Sequence, residues 1–209
     1  MSVEAYHVGP IQPYSPTVMA ESTAKMDELA RKDKERVLLE SSRNKVESYI
    51  YHIKNKLADD EERIGKVSTE EQRETIRKLA LDAEEWLYDE GYNADLATME
   101  DKYGELSGPA EKIFFRVSEM TARPEAMKNL KEKLGKIKAL VKKWEKSMPQ
   151  VTEEERTDVL DKVSEVEKWM AEMESEQEKA DPTEIPVFNS ADVPAKSKPI
   201  EVLVTRLSR

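Results

Sequence analysis

The chain contains no cysteine, which excludes disulfides, thiolate metal sites and cysteine nucleophiles in one step without choosing a compartment. Glycine and proline are scarce, 6 and 10 among 209 residues, too few turn formers for the many short hairpins of an all-β fold. No apolar run approaches the ~20 residues needed to cross a bilayer, and the first residues lack the basic-then-apolar layout of a signal peptide. A cationic excess is missing too. The balance of 34 basic minus 44 acidic residues is −10, without the clustered cations that phosphate neutralisation needs. Neither nucleic acid nor membrane is therefore expected as a partner. Charge itself is abundant, at 37% of residues against about a quarter in ordinary domains. Apolar side chains must then lie on narrow stripes, which favours helices. The length suits one elongated domain or two small ones.

Residues 1–20 differ from the rest of the chain. Pro10, Pro13 and Pro16 punctuate single apolar residues such as Val3, Val8, Ile11 and Tyr14, giving an extended lead-in. Val3 to Tyr6 alternates like the stub of a strand; a terminus without fixed structure is the alternative. From about Glu21 to Asp60, Leu39, Val46, Ile50, Ile53 and Leu57 recur at steps of seven, four, three and four, the stripe of one amphipathic helix. At ~1.5 Å rise per residue, forty residues reach about 60 Å, so the first half is expected to extend beyond a small bundle. Ser68, Thr69, Glu71 and Gln72 form a capping-box signature for a helix carrying Ile76, Leu79, Ala80, Ala83 and Leu87, with Gly91 as a left-handed C-terminal cap. A short helix is expected over Ala94 to Tyr103, closed by Gly104, and another from Pro109 with Ile113, Phe114, Val117 and Met120.

Pro124 is read as the start of a further helix in which Met127, Leu130, Leu134, Ile137, Val141, Trp144 and Met148 alternate steps of three and four, a coiled-coil-like seam. Pro149 stops it. Thr152 with Glu155 caps the next helix, whose Val159, Val163, Val166, Met170 and Met173 repeat the spacing, so an antiparallel pair is implied. Four prolines between 182 and 199 mark a linker, and Ile200, Leu203, Val204 and Leu207 suit a last short helix. The expected architecture is all-α: an elongated antiparallel helical bundle led by one long helix (21–123), a second long helical hairpin (124–180), and a proline-containing linker with a terminal helix (181–209).

Catalytic chemistry is hard to place. The two histidines are His7 in the lead-in and His52, read as a solvent-facing helix residue, and no His-x-x-x-His pair suggests a metal. Glu61 with Glu62 and the run Glu153 to Glu155 read as hydrated helix ends. Gly104 and Gly108 do not make a phosphate loop, since neither a P-loop nor a dinucleotide fingerprint occurs. No catalysis, cofactor or metal is expected. Trp86, Trp144 and Trp169 read as fillers of the helical packing. An interaction surface has more support: relative to the stripe centred on Val46 and Ile50, the residues Asn44, Glu47 and Tyr51 fall on another side of the long helix, an aromatic flanked by polar groups. Two readings of Tyr51 stand. It packs against a neighbouring helix of its own bundle, or it anchors a partner.

Arg43-Asn44-Lys45-Val46-Glu47-Ser48-Tyr49-Ile50-Tyr51, followed by Lys54-Asn55-Lys56-Leu57, resembles the lid-helix motif of the seventy-kilodalton heat-shock chaperone superfamily. Glu84-Glu85-Trp86-Leu87-Tyr88-Asp89-Glu90-Gly91 is similar to the second helix of its large, exchange-factor branch. Val8-Gly9-Pro10, the stretch from Phe115-Arg116-Val117 to Thr121-Ala122-Arg123-Pro124, and Pro186-Val187-Phe188-Asn189-Ser190 resemble the endoplasmic-reticulum members, the hypoxia-upregulated or large glucose-regulated chaperones. The likeness spans most of the chain and weakens after Ala195.

This resemblance implies a dissected piece of a chaperone whose parent family carries an ATPase domain, a β-sandwich and a helical lid. It implies that the helical part embraces the ATPase domain of a seventy-kilodalton partner so that ADP leaves, and that unfolded polypeptides are held against aggregation. The partner-facing Asn and Glu of the lid motif fall on Asn44 and Glu47, which helical angle also places outward. An endoplasmic-reticulum location is implied, with a cytosolic relative as the alternative. A competing reading, independent of the resemblance, is a structural helical-bundle scaffold that self-associates through its heptad seams.

Overall fold

A computed structural model describes Gly9 and residues 14–208 of the protein; the strand stub expected at Val3 to Tyr6 lies outside the described residues. Six α-helices and two short 3₁₀ turns make up the described chain, with no strand among the described residues. The first helix, α1 (Pro16–Asp59), opens earlier than its apolar stripe suggests. Ser15 accepts from the Val18 amide at 3.3 Å and Pro16 takes the first-turn position, where its missing N–H costs nothing. The lead-in thus becomes helical before residue 20. Only the second half of α1 is buried, through Val46, Tyr49, Ile50, Ile53 and Leu57. Its first half stands in solvent with Val18, Met19, Met26 and Leu29 exposed.

A helix absent from the sequence expectation, α2 (Glu61–Val67), follows the break at Asp60 and turns Ile64 and Val67 inward. The next, α3 (Glu70–Tyr88), starts from the expected capping box, in which the Gln72 amide donates to Thr69 Oγ1 at 3.2 Å and the Thr69 amide to Gln72 Oε1 at 3.3 Å. Gly91 is a correction. It lies buried in the 3₁₀ turn Glu90–Asn93 and its φ is not positive. A Cβ there would come within 2.9 Å of the Trp86 carbonyl oxygen, so close approach rather than left-handed geometry calls for glycine.

The largest correction concerns α4 (Leu96–Ser147). Where helix ends were expected at Gly104, Pro109 and Pro124, one continuous helix of 52 residues runs through all three. Each interior proline removes one backbone hydrogen bond, at roughly 3 kcal/mol. Burial on either side outweighs that local cost: Leu106, Ala110 and Ile113 flank Pro109, and Met127 and Leu130 follow Pro124. A fully buried Leu or Ile side chain stabilises by ~1.5–3 kcal/mol.

Two apolar clusters are strung along α4. The first joins Val46, Ile50 and Ile53 of α1, Ile64 of α2, Ile76 and Leu87 of α3, and Met99, Leu106 and Ile113 of α4. The second joins Leu134, Ile137, Val141 and Trp144 of α4 to Val159, Val163 and Met170 of α5 (Glu153–Lys179). A capping box starts α5 as expected, with the Glu155 amide donating to Thr152 Oγ1 at 3.2 Å. The stretch read as a linker is packed instead. Phe188, and Val193 of the 3₁₀ turn Ser190–Ser197, are buried in the second cluster, and the expected terminal helix, α6 (Lys198–Leu207), buries Ile200 and Leu203 beside them. Its prolines break α-helix without preventing burial.

Candidate functional site

The outward side of α1 is positioned by α3, which runs antiparallel beside it. Arg43 Nη2 donates to the Leu87 carbonyl at 3.1 Å, Tyr88 Oη to Glu47 Oε1 at 2.5 Å, and Lys54 Nζ to Glu84 Oε2 at 2.5 Å. Three bonds therefore tie residues 43–54 to residues 84–88. Beneath them Val46, Ile50 and Ile53 are almost completely buried, so the outward residues ride on a fixed core. The guanidinium of Arg43 also stacks 5.2 Å from the Tyr92 ring.

The structure brings the three expected site residues to one stripe but in different environments. Asn44 is exposed, Glu47 is half-buried, and Tyr51 is 49% exposed. Tyr51 thus has free surface rather than being enclosed among the helices of its own chain. Sequence reasoning missed Tyr88 as a site residue. It is 60% exposed and clamps Glu47, and its phenol is pushed up to about 12, first by the hydrogen bond to the Glu47 carboxylate, with the nearby Tyr51 adding to the rise. Glu84 and Tyr88 are four apart and Leu81 is three before Glu84, so an outward stripe on α3 was available as a signal.

Together, Asn44, Glu47, Tyr51 and Tyr88 offer an amide, an oriented carboxylate and two phenols on a rigid base. That is chemistry for recognition: hydrogen bonding plus aromatic area that loses little rotamer freedom on binding. His52 is exposed and lies against the rings of Tyr49, 5.7 Å away, and Phe114, 5.4 Å away. Among the described residues no group of three or more His, Asp or Glu side chains is placed to hold a metal ion. No helix among the described residues is long and apolar enough to cross a membrane.

Residues 125–209 match the family model described as HYOU1-like, C-terminal domain. Across nearly the whole chain, 202 residues or 97% of it, the sequence is 33% identical to "Heat shock 70 kDa protein 17" of Arabidopsis thaliana, covering 23% of that protein. It is 34% identical to "Hypoxia up-regulated protein 1" of Gallus gallus over 84% of this chain and 18% of the relative. The same protein of Homo sapiens is 34% identical over 85% of this chain and 18% of the relative. The chain thus spans about a fifth of the length of the curated relatives it matches. No solved structure matches it. The all-helical chain thus carries a HYOU1-like C-terminal domain over residues 125–209 and is, over most of its length, a homologue of hypoxia up-regulated protein 1 and heat shock 70 kDa protein 17.

Proposed function

We propose that this chain is the lid-type helical part of a chaperone that promotes nucleotide exchange on the ATPase domain of a seventy-kilodalton heat-shock partner and holds unfolded polypeptides. One observation carries the reading: Asn44, Glu47 and Tyr51 share an outward stripe on a helix braced by α3, with Tyr88 orienting the carboxylate. A docking face can shift its partner's equilibrium only by binding one conformation better than the other. Here the face would favour the open form of the ATPase domain, and ADP would leave from it. Bracing matters, because a floppy lever would lose the binding energy to ordering. The endoplasmic-reticulum lumen is the compartment this reading favours, by kinship with the hypoxia up-regulated relatives, and the cytosol is the alternative.

The competing scaffold reading requires a free heptad seam. In α4 that seam is occupied by the chain's own α5, the 3₁₀ turn Ser190–Ser197 and α6, which supports the docking reading over self-association.

The test uses the full-length protein with the partner's ATPase domain loaded with a fluorescent ADP. Asn44→Tyr combined with Glu47→Ala is expected to keep helicity and abolish the stimulated release of nucleotide. Unchanged release by a folded double variant would remove the docking assignment.

A further inference from the structure

A second concave site lies on the far side of α3 from the Tyr51 face. A cleft of about 490 Å³ opens between α3, α4 and the stretch 183–186, with Ile113, Phe115 and Ile185 among its walls and Arg116 on its lining. Arg116, a permanent cation, is only 8% exposed as a residue, and its Nε is closed off from water. Such a charge is costly unless paired and fully hydrogen-bonded. Arg116 is neither. Its Nη2 donates to Gln72 Oε1 at 3.0 Å, an oxygen already shared with the Thr69 amide of the capping box. Its Nε has no hydrogen-bond partner. Among the described residues it forms no ion pair; Glu184 and Asp181 act on it only through space, against the effect of its burial.

The outer rim of the cleft is built differently from its floor. Thr183 is bonded to Asp181, and the neighbouring Val187 amide donates to Gln177, so these bonds fold the segment on itself and onto α5 rather than onto α3 or α4. Ile185 is 82% exposed and Phe115 is 42% exposed, both at the cleft. An unpaired buried cation thus sits beside apolar surface that the fold leaves uncovered. The charged lining sums to zero, Lys112 and Arg116 against Glu71 and Glu184, so the pull on an anion is local to Arg116 rather than a field of the whole cleft.

We infer that this cleft binds an aliphatic carboxylate, with Arg116 taking the carboxylate and Ile113, Phe115 and Ile185 taking the branched hydrocarbon beside it. Charge-assisted bonds of a guanidinium to a carboxylate are the strong class of hydrogen bond, and a neutral amide in the same place leaves the cation unpaired. The volume fits one or two residues of a peptide ending in Val or Leu, or a free branched acid; both present the same chemistry.

The arginine Nε–Hε resonances of the whole chain, read in nitrogen–proton correlation spectra, test this directly. Titration with N-acetyl-valyl-leucine is expected to move the Arg116 signal saturably in the millimolar range, and the same peptide as its amide is expected to bind at least about tenfold more weakly. Arg116→Met should remove both the signal and the binding. Ile185→Asp, at a position too exposed to disturb folding, should weaken the acid about tenfold through like-charge repulsion. A stronger response to the peptide than to 3-methylbutanoate marks a peptide C-terminus as the source, and an equal response marks a free acid. Acetate binding as well as either, acid and amide binding alike, or an Arg116 signal that never moves would overturn the proposal.

Discussion

The phenol of Tyr88 on α3 donates to the carboxylate of Glu47 on α1 at 2.5 Å, although 41 residues separate the two along the chain. Glu47 is therefore aimed rather than free to rotate, and an aromatic ring that sequence reasoning had left aside stands beside Asn44 and Tyr51. Tyr88→Phe should separate orientation from folding. The bond lies at the surface, with Tyr88 exposed and Glu47 half-buried, so the denaturation midpoint is expected to move little. Stimulated nucleotide release should fall about fivefold, the factor that one net hydrogen bond is worth. Because the phenol titrates only near 12, above its ordinary value of 10, its bond is intact below 10 and is lost as pH rises through 12. Exchange activity between pH 6 and 9 should accordingly show no step that Tyr88→Phe removes. Full activity in the folded variant would take Tyr88 out of the site.

The continuity of α4 makes a prediction with opposite signs for two architectures. In an unbroken helix Pro124 lacks a backbone donor in mid-ladder, so Pro124→Ala should stabilise by about 1–3 kcal/mol in urea denaturation. Were a helix to begin at Pro124, proline would be the favoured first residue and the same change would be neutral or harmful.

Two glycines should respond in opposite ways. Gly104 lies within α4 with nothing within 4 Å of an added Cβ, so Gly104→Ala is expected to stabilise by about 1 kcal/mol. Gly91→Ala would drive a methyl to 2.9 Å from the Trp86 carbonyl and 3.0 Å from its ring, and should destabilise by about 1–3 kcal/mol. Thermal unfolding of the two variants side by side would decide it.

These contrasts mark what could be read from residues alone. The stripe of Val46, Ile50, Ile53 and Leu57, the caps at Thr69 and Thr152, and the α4 seam are local patterns, and local patterns survive folding. The outward placement of Asn44 and Tyr51 follows from the same helical angle. What escaped depends on neighbours distant in the chain. Gly104, Pro109 and Pro124 signal a break whose local cost is outweighed by burial on both cores. Phe188 and Val193 lie in a proline-rich stretch whose apolar residues have no period to reveal them, whereas Ile200 and Leu203 of α6 carry one. The Glu47–Tyr88 bond depends on the register between α1 and α3, which neither helix encodes by itself.

The docking of α6 on α4 should weaken in acid. Glu201 accepts from Lys133 Nζ at 2.7 Å and Ser197 Oγ at 2.5 Å, and the Lys133 bond first, then Ser197, hold its carboxyl below the ordinary value of 4.5. A carboxyl lowered in the folded state lends stability above its unfolded pKa and loses it as pH falls through the folded one. The loss belongs below pH 4.5 and, at a partly exposed pair, amounts to less than about 1 kcal/mol. Glu201→Gln should abolish that step in acid titrations of stability; a step that persists would belong to another carboxylate.

Glu119 holds the packed stretch after Phe188 to the middle of α4, where the two clusters meet. Its side chain is buried and accepts from the Ser190 amide at 2.8 Å and the Ser190 hydroxyl at 2.7 Å, with Arg123 Nε 3.7 Å away. Glu119→Gln replaces one accepting oxygen by a donor amide among donors and removes the anion beside Arg123, whose Nη1 already lacks a partner. Breaking a buried pair in this way costs roughly 3–5 kcal/mol. Ser190→Ala, which deletes only one hydroxyl, should cost about 1 kcal/mol. Hydrogen exchange distinguishes a released strap from general loosening. Amides of residues 188–197 should exchange faster in Glu119→Gln by a larger factor than those of α3, because the first cluster does not depend on this carboxylate. Equal acceleration throughout would mean that Glu119 supports the whole of α4, and unchanged exchange at Ser190 would show that the carboxylate does not hold the strap.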